Sequence, residues 1–238
     1  MSGDRQPVSI LGAGRVGAHL ARAFAERGHA VTVGHRSPSS GAAAWQGPSV
    51  RHASLAEAAA ASPVVFHATP GHTALDVLTS LRVPLRDKVL VDVSNATVRQ
   101  PDGAPGGLLY PEGSLAERIQ AALPETRVVK TLNTMLFSVM SAPRSLGAPA
   151  QAFLSAEDAG AKAQVRALLA SLGWPDEWVL DLGGLASARA TEALILMAPY
   201  VVAAKGFKPF ALTAALASPS PSASASASAS ARESNPGV

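Results

Sequence analysis

The sequence predicts an α/β fold in which helices cover both faces of a doubly wound parallel sheet, followed by a small C-terminal α/β lobe. Short apolar runs alternate with helix-like segments along most of the chain, a pattern typical of strands buried between layers of helices. The 238 residues are 47% hydrophobic but only 5% aromatic, so the core must be built from Ala, Val and Leu. A glycine-rich turn after the first apolar run is the third indication.

That turn consists of Gly12, Ala13, Gly14, Arg15, Val16 and Gly17. It follows an apolar strand, Val8–Leu11, and opens a helical segment over residues 16–27 that Gly28 ends. In a Rossmann-type sheet, one such glycine makes the tight turn, the second lets a pyrophosphate approach the backbone, and the third lets helix and strand pack closely. The phosphate then sits at the helix N-terminus. The sequence therefore predicts a Rossmann-type domain that binds a dinucleotide at this turn.

The second strand, predicted over residues 30–33, runs into Gly34, His35, Arg36 and Ser37 without an acidic residue. A site for NAD usually carries Asp or Glu here to hold the ribose 2′-hydroxyl, and that carboxylate would repel a 2′-phosphate. Arginine instead matches a phosphate through its planar fork of donors. We therefore expect NADP(H) as the cofactor, with Arg36 at its 2′-phosphate.

The next elements follow from apolar periodicity and from turn residues. A capping-box pattern at Ser54 and Glu57 starts one of the helices. Residues 100–113 are rich in Pro and Gly and are predicted as a loop or lid over the site. The predicted order is helix 38–47, strand 49–52, the capped helix, strand 63–68, helix 72–81, strand 88–93, the loop, helix 115–123 and strand 127–130.

Beyond residue 141 the pattern restarts with a strand at 150–155, a helix at 158–172 and a strand at 178–180. Glu157 and Asp158 are interpreted as favouring that helix N-terminus through its dipole rather than as a catalytic pair. Residues 185–204 predict a long apolar helix, kinked or broken at Pro199, that packs between lobes or across a dimer. The predicted organisation is an NADP-binding domain at 1–141, a small lobe at 142–210 and a disordered Ser/Ala/Pro-rich tail at 211–238.

Small polar residues follow three of the predicted strands. They are Thr69 and Pro70, then Ser94 and Asn95, then Asn133 and Thr134. Open α/β sheets bind ligands at the carboxyl ends of their strands. The coincidence of these residues at one sheet edge predicts a pocket.

Composition excludes several other classes of function. The chain has no cysteine, which rules out disulfides, thiolate nucleophiles and cysteine-ligated metals. Its Lys and Arg residues are scattered, so nucleic acid is not expected as a partner, and its histidines show no metal-binding spacing. The charged start lacks an apolar signal segment, and the longest apolar run, residues 193–204, is short for a membrane span. We expect a cytoplasmic protein without metal.

Several of these residues together carry a resemblance to a known family. They are the glycine turn, the Gly34 to Ser37 strand end, Asp92-Val93-Ser94-Asn95, Ser114-Leu115-Ala116-Glu117, the block from Val128 to Thr134 and the run from Leu182 to Arg189. The chain resembles the NADP oxidoreductases that depend on the deazaflavin coenzyme F-420, over most of its length up to about Ala204. It differs from the family at His35, at Ala96 and at Glu157.

The resemblance implies NADP(H) on the glycine turn and the deazaflavin stacked on the nicotinamide in the cleft. By position, Arg36 with its neighbours Ser37 and His35 would hold the 2′-phosphate. The residues Thr69, Pro70, Ser94 and Asn95 would border the nicotinamide, and Asn133, Thr134 and Met135 would line the cleft. A small-molecule redox co-substrate and a homodimer are the partners expected.

Hydride transfer between two such cofactors needs stacking geometry and a dry cleft rather than a protein nucleophile, so no catalytic residue is predicted. Two alternatives remain open. The first keeps NADPH but uses a ferric chelate, a flavin, an imine or a carbonyl compound as the acceptor. A proton donor near the cleft would favour an imine or carbonyl substrate, and the candidates are His67, His72 and Tyr110. The second is a non-catalytic protein that senses NADP.

Overall fold

The computed structural model describes residues 5–101 and 103–215. Strands in these ranges form one large sheet and one small hairpin. They are β1 (Val8–Leu11), β2 (Val31–His35), β3 (Arg51–Ser54), β4 (Val64–His67), β5 (Val89–Asp92), β6 (Thr97–Arg99), β7 (Pro105–Leu108), β8 (Arg127–Thr131), β9 (Ala152–Ser155) and β10 (Val179–Asp181).

The α-helices of the same ranges connect these strands. They are α1 (Arg15–Glu26), α2 (Pro38–Ala44), α3 (Leu55–Ala61), α4 (Ala74–Ser80), α5 (Arg82–Leu85), α6 (Leu115–Ala122), α7 (Phe137–Ser141), α8 (Ala159–Ser171), α9 (Ala188–Ala193) and α10 (Ala198–Lys205). Short 3₁₀ turns lie at Gly71–Thr73, Pro143–Ser145, Asp176–Trp178, Leu185–Ser187 and Leu194–Met197.

The large sheet has the strand order β10-β9-β8-β5-β4-β1-β2-β3. From β8 to β3 all neighbours pair in parallel, which confirms the predicted Rossmann-type α/β sheet. Only β9 runs antiparallel to its neighbour β8, with Lys130 opposite Ser155. The chain leaves β1 toward β2 and later returns to β4 on its other side, so the strand order reverses between β1 and β4. A crevice at such a reversal is where open α/β sheets bind ligands.

Apolar side chains fill both faces of the sheet. On one face α1 and α8 contribute Phe24, Leu20 and Val165, and on the other face α3, α4 and α6 contribute Ala58, Leu78 and Ile119. Both layers consist mainly of aliphatic residues, as the low aromatic content requires. The sheet therefore packs between two apolar layers, which fix the positions of the carboxyl ends of its strands.

The capping box at the start of α3 is present as predicted. The Ser54 backbone N–H donates to Glu57 Oε2 at 2.8 Å, and the Glu57 N–H donates to Ser54 Oγ at 3.2 Å. The second strand runs two residues beyond its predicted end, so that His35 lies inside the sheet.

The structure corrects the prediction of a plain loop at residues 100–113. The segment contains β7, which pairs antiparallel with β6 to form a hairpin. Gly103 adopts a φ of +81° in the turn, a conformation that glycine reaches without steric cost. Pro105 lies at the first position of β7, where the missing N–H is tolerated. Backbone pairing thus overrides the weak strand propensity of the Pro and Gly residues.

The helix break predicted at Pro199 lies elsewhere. The irregular segment is the 3₁₀ turn Leu194–Met197, and Pro199 sits in the first turn of α10, where no intrahelical donor is required of it. The helical stretch Leu185–Lys205 is longer than the apolar run at residues 193–204. By its length and composition alone, this stretch could cross a membrane. Two of its charged residues, Arg189 and Glu192, form ion pairs with Glu117 and Lys130 of the α/β unit.

The C-terminal strands extend the same sheet rather than building a separate one. Asp158 caps α8 by accepting from Ala161 N at 2.6 Å, as expected, but Glu157 instead accepts from Leu185 N at 2.8 Å. Residues 211 and 212, which the predicted tail included, pair with the backbone near Met135. The rest of the predicted tail from residue 216 onward, like the charged start at residues 1–4, lies outside the described residues.

Candidate active site

The glycine turn has the geometry that its sequence predicts. Gly12 adopts a φ of +102°, and a Cβ there would lie 2.8 Å from Ala68 O and 3.0 Å from Thr69 N. A Cβ on Gly17 would lie 1.9 Å from Gly12 O, so α1 can pack against the turn only with glycine at that position. A Cβ on Gly14 would meet no atom within 4 Å. Gly14 therefore faces open space, as required where a ligand approaches the backbone.

The N-terminus of α1 presents free backbone donors beside this space. The first helical bond runs from Ala18 N to Gly14 O at 2.8 Å, so the N–H groups of the preceding residues have no partner inside the helix. The first turn carries no acidic residue, and no side chain caps it. Ala13 and Arg15 are exposed and Val16 is half-buried. The helix end thus suits an anionic group such as a pyrophosphate.

The three residues predicted to hold the 2′-phosphate differ in their exposure at the end of β2. Arg36 and Ser37 are exposed, and within the described ranges the Arg36 guanidinium makes no hydrogen bond or ion pair. His35 is buried, and its Nε2 lies 2.7 Å from Nδ1 of His52. Burial lowers the pKa of His35, and the neighbouring His52 lowers it further. Arg36 and Ser37 can therefore meet a phosphate directly, whereas the His35 ring is directed to His52.

The other predicted site residues lie on the loops that follow β4, β5 and β8, and these loops touch one another. The Gly12 turn contacts the backbone of Thr69. A Cβ on Gly71 would lie 2.1 Å from Asn95 O, so those two loops are in close contact. The Asn95 amide donates to Asn133 O at 2.7 Å, and the Asn133 amide donates to Asn95 Oδ1 at 2.9 Å. The structure thus brings the predicted residues onto one continuous edge, with Pro70 exposed at its rim.

A cavity of about 440 Å³ opens beside the loop that follows β8. Asn133, Thr134 and Met135 line one side of it. The other walls are mostly apolar and come from the hairpin, from the stretch Leu185–Lys205 and from the segment that ends at Leu212, with lining residues including Pro105, Leu194, Ala198, Val202, Phe207 and Phe210. A volume of this size accommodates a small organic molecule or a flat ring system.

Several polar atoms near this cavity have no partner in the described chain. They include Asn133 Oδ1 and Thr134 Oγ1, which belong to residues only 3% exposed. The chain enters this loop through Leu132, a buried residue with a φ of +60°. Such a conformation costs a non-glycine residue roughly 1–3 kcal/mol and concentrates at functional sites. The loop after β8 therefore places unpartnered hydrogen-bonding atoms beside the cavity.

Beneath the same edge lies a chain of buried ionisable groups. His67, Asp92 and Lys130 stand in register on β4, β5 and β8. His67 Nδ1 lies 2.9 Å from Asp92 Oδ1, and Lys130 Nζ donates to Asp92 Oδ2 at 2.8 Å. Lys130 also forms an ion pair with Glu192 at 2.9 Å, and all four side chains are less than 5% exposed. At the opposite end of this row of side chains, His67 Nε2 lies 2.6 Å from Thr69 Oγ1.

The charges in this chain stabilise one another. Burial alone would raise the pKa of Asp92, but the Lys130 ammonium and the His67 ring outweigh it and hold that pKa well below its usual value. Burial alone would lower the pKa of Lys130, but Asp92 and Glu192 raise it above its usual value. Ser94 completes the cluster, since its backbone N–H and its hydroxyl both donate to Asp92 Oδ1, at 3.1 and 2.8 Å. Ser94 therefore orders the cluster rather than the open cleft.

Sequence reasoning singled out His67 as a candidate donor but missed the roles of Asp92, Lys130 and Glu192. A usable signal existed, because Asp92 and Lys130 are charges in otherwise apolar strands and a buried charge needs a partner. Glu192 similarly interrupts an apolar helical stretch. The other candidate donors do not belong to this buried cluster. His72 is exposed, and the centre of the Tyr110 ring lies 5.7 Å from the guanidinium carbon of Arg118.

A crevice at the strand reversal, with a glycine turn and a helix end free to receive a pyrophosphate, defines a dinucleotide-binding enzyme of the Rossmann type. Residues 7–96 match the family model described as NADP oxidoreductase, coenzyme F-420-dependent. A solved structure from Arthrobacter sp. FB24, assigned as an F-420-dependent NADP-reductase, is 36% identical with a TM-score of 0.80 and covers 89% of this chain and 100% of that one. The chain belongs to this family, as the resemblance predicted, and it is an NADP-dependent oxidoreductase.

Two further relatives differ in the acceptors that their names indicate. The metalloreductase STEAP3 of Rattus norvegicus is 32% identical over 190 residues, which cover 79% of this chain. The chain spans only 36% of the length of that curated relative. An imine reductase of Streptomyces aurantiacus is 20% identical with a TM-score of 0.59, over 82% of this chain and 61% of that one. This last similarity shows the fold alone.

Proposed function

We propose that the chain transfers hydride between NADPH and the deazaflavin coenzyme F-420. The observation that carries the proposal is the cavity beside the loop after β8, because it combines apolar walls with the unpartnered oxygens of Asn133 and Thr134. A planar, largely apolar ring edged by amide groups fits such walls and such oxygens. The cavity shares the loop of Asn133 with the nucleotide-binding edge through the Asn95 contacts.

The chain's own residues supply position rather than covalent chemistry. When bound, the dihydronicotinamide supplies the hydride. The glycine turn and α1 would hold the pyrophosphate, and Arg36 with Ser37 would hold the 2′-phosphate. Thr69 lies beside the turn and would border the nicotinamide. Holding two reacting carbons at attack distance can lower a barrier by about 7–11 kcal/mol, so the geometry of the edge can account for much of the rate.

The decisive experiment follows deuterium from NADPH labelled at the nicotinamide C4. The purified chain is incubated with the labelled cofactor and with deazaflavin, free flavin, a ferric chelate or a cyclic imine in separate reactions. We expect stereospecific transfer of the label to the deazaflavin ring carbon, at a rate that a chelator does not change. If only another acceptor gains the label or the electrons, the deazaflavin proposal is wrong.

A second candidate function is the reduction of an imine or carbonyl compound by NADPH. The hydrogen-bonded row from Thr69 through His67 to Asp92 supports it, because an imine or carbonyl carbon that gains a hydride also needs a proton on its nitrogen or oxygen. The acceptor panel separates the two candidates directly.

We also propose that the chain forms a homodimer in the cytoplasm. Met197, Tyr200 and Phe207 are 50%, 78% and 62% exposed and lie on or just after the stretch Leu185–Lys205, and Phe207 also lines the cavity. A second copy packed on this face would cover apolar surface that is otherwise in contact with water.

A further inference from the structure

The reaction proposed above does not balance with a hydride alone. Two electrons and one hydrogen leave the dihydronicotinamide as hydride and enter a ring carbon of the acceptor, so the nicotinamide is oxidised and the acceptor is reduced. The acceptor then carries an additional negative charge on a ring nitrogen, and one proton must reach that nitrogen. In a cleft from which water is excluded, a protein group has to deliver it.

We propose that Thr69, backed by the buried His67 and Asp92, delivers this proton to the acceptor. The inference rests on the proposed function and names the group through which the cleft exchanges protons. Thr69 is the half-buried end of this hydrogen-bonded row, whereas His67 and Asp92 are buried, and its backbone N lies 3.0 Å from a Cβ placed on Gly12, beside the glycine turn. In the delivery step, the Thr69 hydroxyl gives its proton to the ring nitrogen and takes the Nε2 proton of a doubly protonated His67 ring, which is left neutral with its proton on Nδ1. Water in the open cleft returns one proton after the product leaves.

The spacing of the atoms supports this order of transfer. Thr69 Oγ1 lies 2.6 Å from His67 Nε2, and His67 Nδ1 lies 2.9 Å from Asp92 Oδ1. With a proton on Nδ1 held by the Asp92 carboxylate, Nε2 is the ring atom that exchanges protons with Thr69. The same arrangement of carboxylate, imidazole and hydroxyl moves protons in hydrolases. Here the hydroxyl would act as a proton carrier and not as a nucleophile.

The buried groups packed around His67 carry a net negative formal charge. Asp92 and Glu192 contribute two negative charges and Lys130 one positive charge, so this buried cluster has a formal charge of −1 when His67 is neutral. A proton on His67 brings the cluster to zero. Ser94 and the backbone donors of Leu115 and Ala116, which bind Glu192 at 2.8 and 3.2 Å, add dipoles but no charge. The delivery step therefore changes the formal charge of this buried cluster by one unit, from zero to −1.

The test compares Thr69→Val, which removes the hydroxyl at constant shape, with Thr69→Ser, which keeps it. Thr79→Val on the exposed end of α4 is the matched control. Single-turnover reduction by labelled NADPH is measured in H₂O and in D₂O across pH 5–9, together with the affinity for NADPH. We expect Thr69→Val to slow the acceptor reduction at least about 100-fold, to abolish its solvent isotope effect and to leave NADPH affinity within about twofold. Thr69→Ser and Thr79→Val should stay within about threefold of the wild type.

A second measurement does not depend on turnover. Nitrogen-15 NMR of the imidazole rings, with His67 assigned from the His67→Gln spectrum, reports its tautomer in the free protein. We expect the neutral ring to carry its proton on Nδ1, and the Nε2 signal to move in Thr69→Val but not in Thr79→Val. A neutral ring with its proton on Nε2 would overturn the relay. A Thr69→Val variant with the same rate and pH profile as an active wild type would overturn it as well. If the wild type reduces another acceptor but not deazaflavin, only the deazaflavin proposal is wrong. If it reduces none of the acceptors, both proposals are wrong.

Discussion

At the scale of single residues, we expect the nucleotide preference to depend on one exposed cation. Arg36 follows β2 at the position where an NAD site would carry a carboxylate, and it has no protein partner in the described chain. Its neighbour His35 is directed into the structure, toward His52. We therefore expect Arg36, with Ser37 beside it, to recognise the 2′-phosphate.

We predict that Arg36→Ala removes most of the preference for NADP over NAD. A hydrogen bond to a charged group contributes about 1.5–3 kcal/mol, so NADP affinity should fall roughly 10- to 150-fold while NAD affinity stays constant. Titration of nucleotide fluorescence or calorimetry measures both. Arg82→Ala, an exposed arginine on α5, is the control and should change neither affinity. Equal binding of NADP and NAD by the unmutated chain would contradict the assignment.

At the scale of elements, the buried ion pairs join three strands and two helices. Asp92 and Lys130 connect β5 to β8, His67 adds β4, and Glu192 brings α9 onto the first residues of α6. Removing one member of such a set leaves an uncompensated charge in the core. This destabilises a protein far more than the loss of a surface ion pair does.

We predict that Lys130→Met lowers the free energy of unfolding by about 3–5 kcal/mol. Lys162→Met removes a partly exposed ion pair with Asp181 and should cost no more than about 1 kcal/mol. Denaturant titration followed by circular dichroism compares the two variants. Similar losses in both would show that the buried cluster contributes no special stability.

The same cluster predicts an acid dependence of stability. The pKa of Asp92 lies below its unfolded value of about 3.9, so its contribution is complete above that value and is lost as the pH falls below it. The unfolding free energy of the wild type should therefore decline below about pH 4. In Lys130→Met this decline should be smaller, because the ammonium that lowers the Asp92 pKa is absent. Denaturant titrations from pH 3 to 7 measure both slopes.

At the scale of the whole molecule, the stretch Leu185–Lys205 packs Leu185 and Ala188 into the core but exposes Met197 and Tyr200 to solvent. We predict that a dimer covers it and that Tyr200→Glu, at a side chain 78% exposed, converts the dimer to a monomer. Val83→Glu, at a comparably exposed residue on α5, should leave the dimer intact. Light scattering at micromolar concentrations distinguishes these states. A monomeric wild type would end the proposal.

Much of this protein follows from local patterns that need no tertiary structure. The glycine turn, the absence of an acid after β2 and the capping box at Ser54 depend on residues close together in the chain. Each was predicted because short-range backbone geometry sets the residue types that fit there. The Pro- and Gly-rich hairpin was missed for the opposite reason, since pairing between β6 and β7 supplies an energy that local propensity does not contain.

The sequence by itself determined the Rossmann-type sheet and the class of enzyme, because strand periodicity and a glycine turn are patterns of residues close together in the chain. Only the tertiary structure decided what lines the cavity and which charged groups lie beneath the sheet edge. The cavity combines segments near residues 105, 134, 195 and 210, and the buried chain joins His67, Asp92, Lys130 and Glu192 across more than a hundred positions. Such contacts depend on strand order and register, which bring together residues that no local pattern connects.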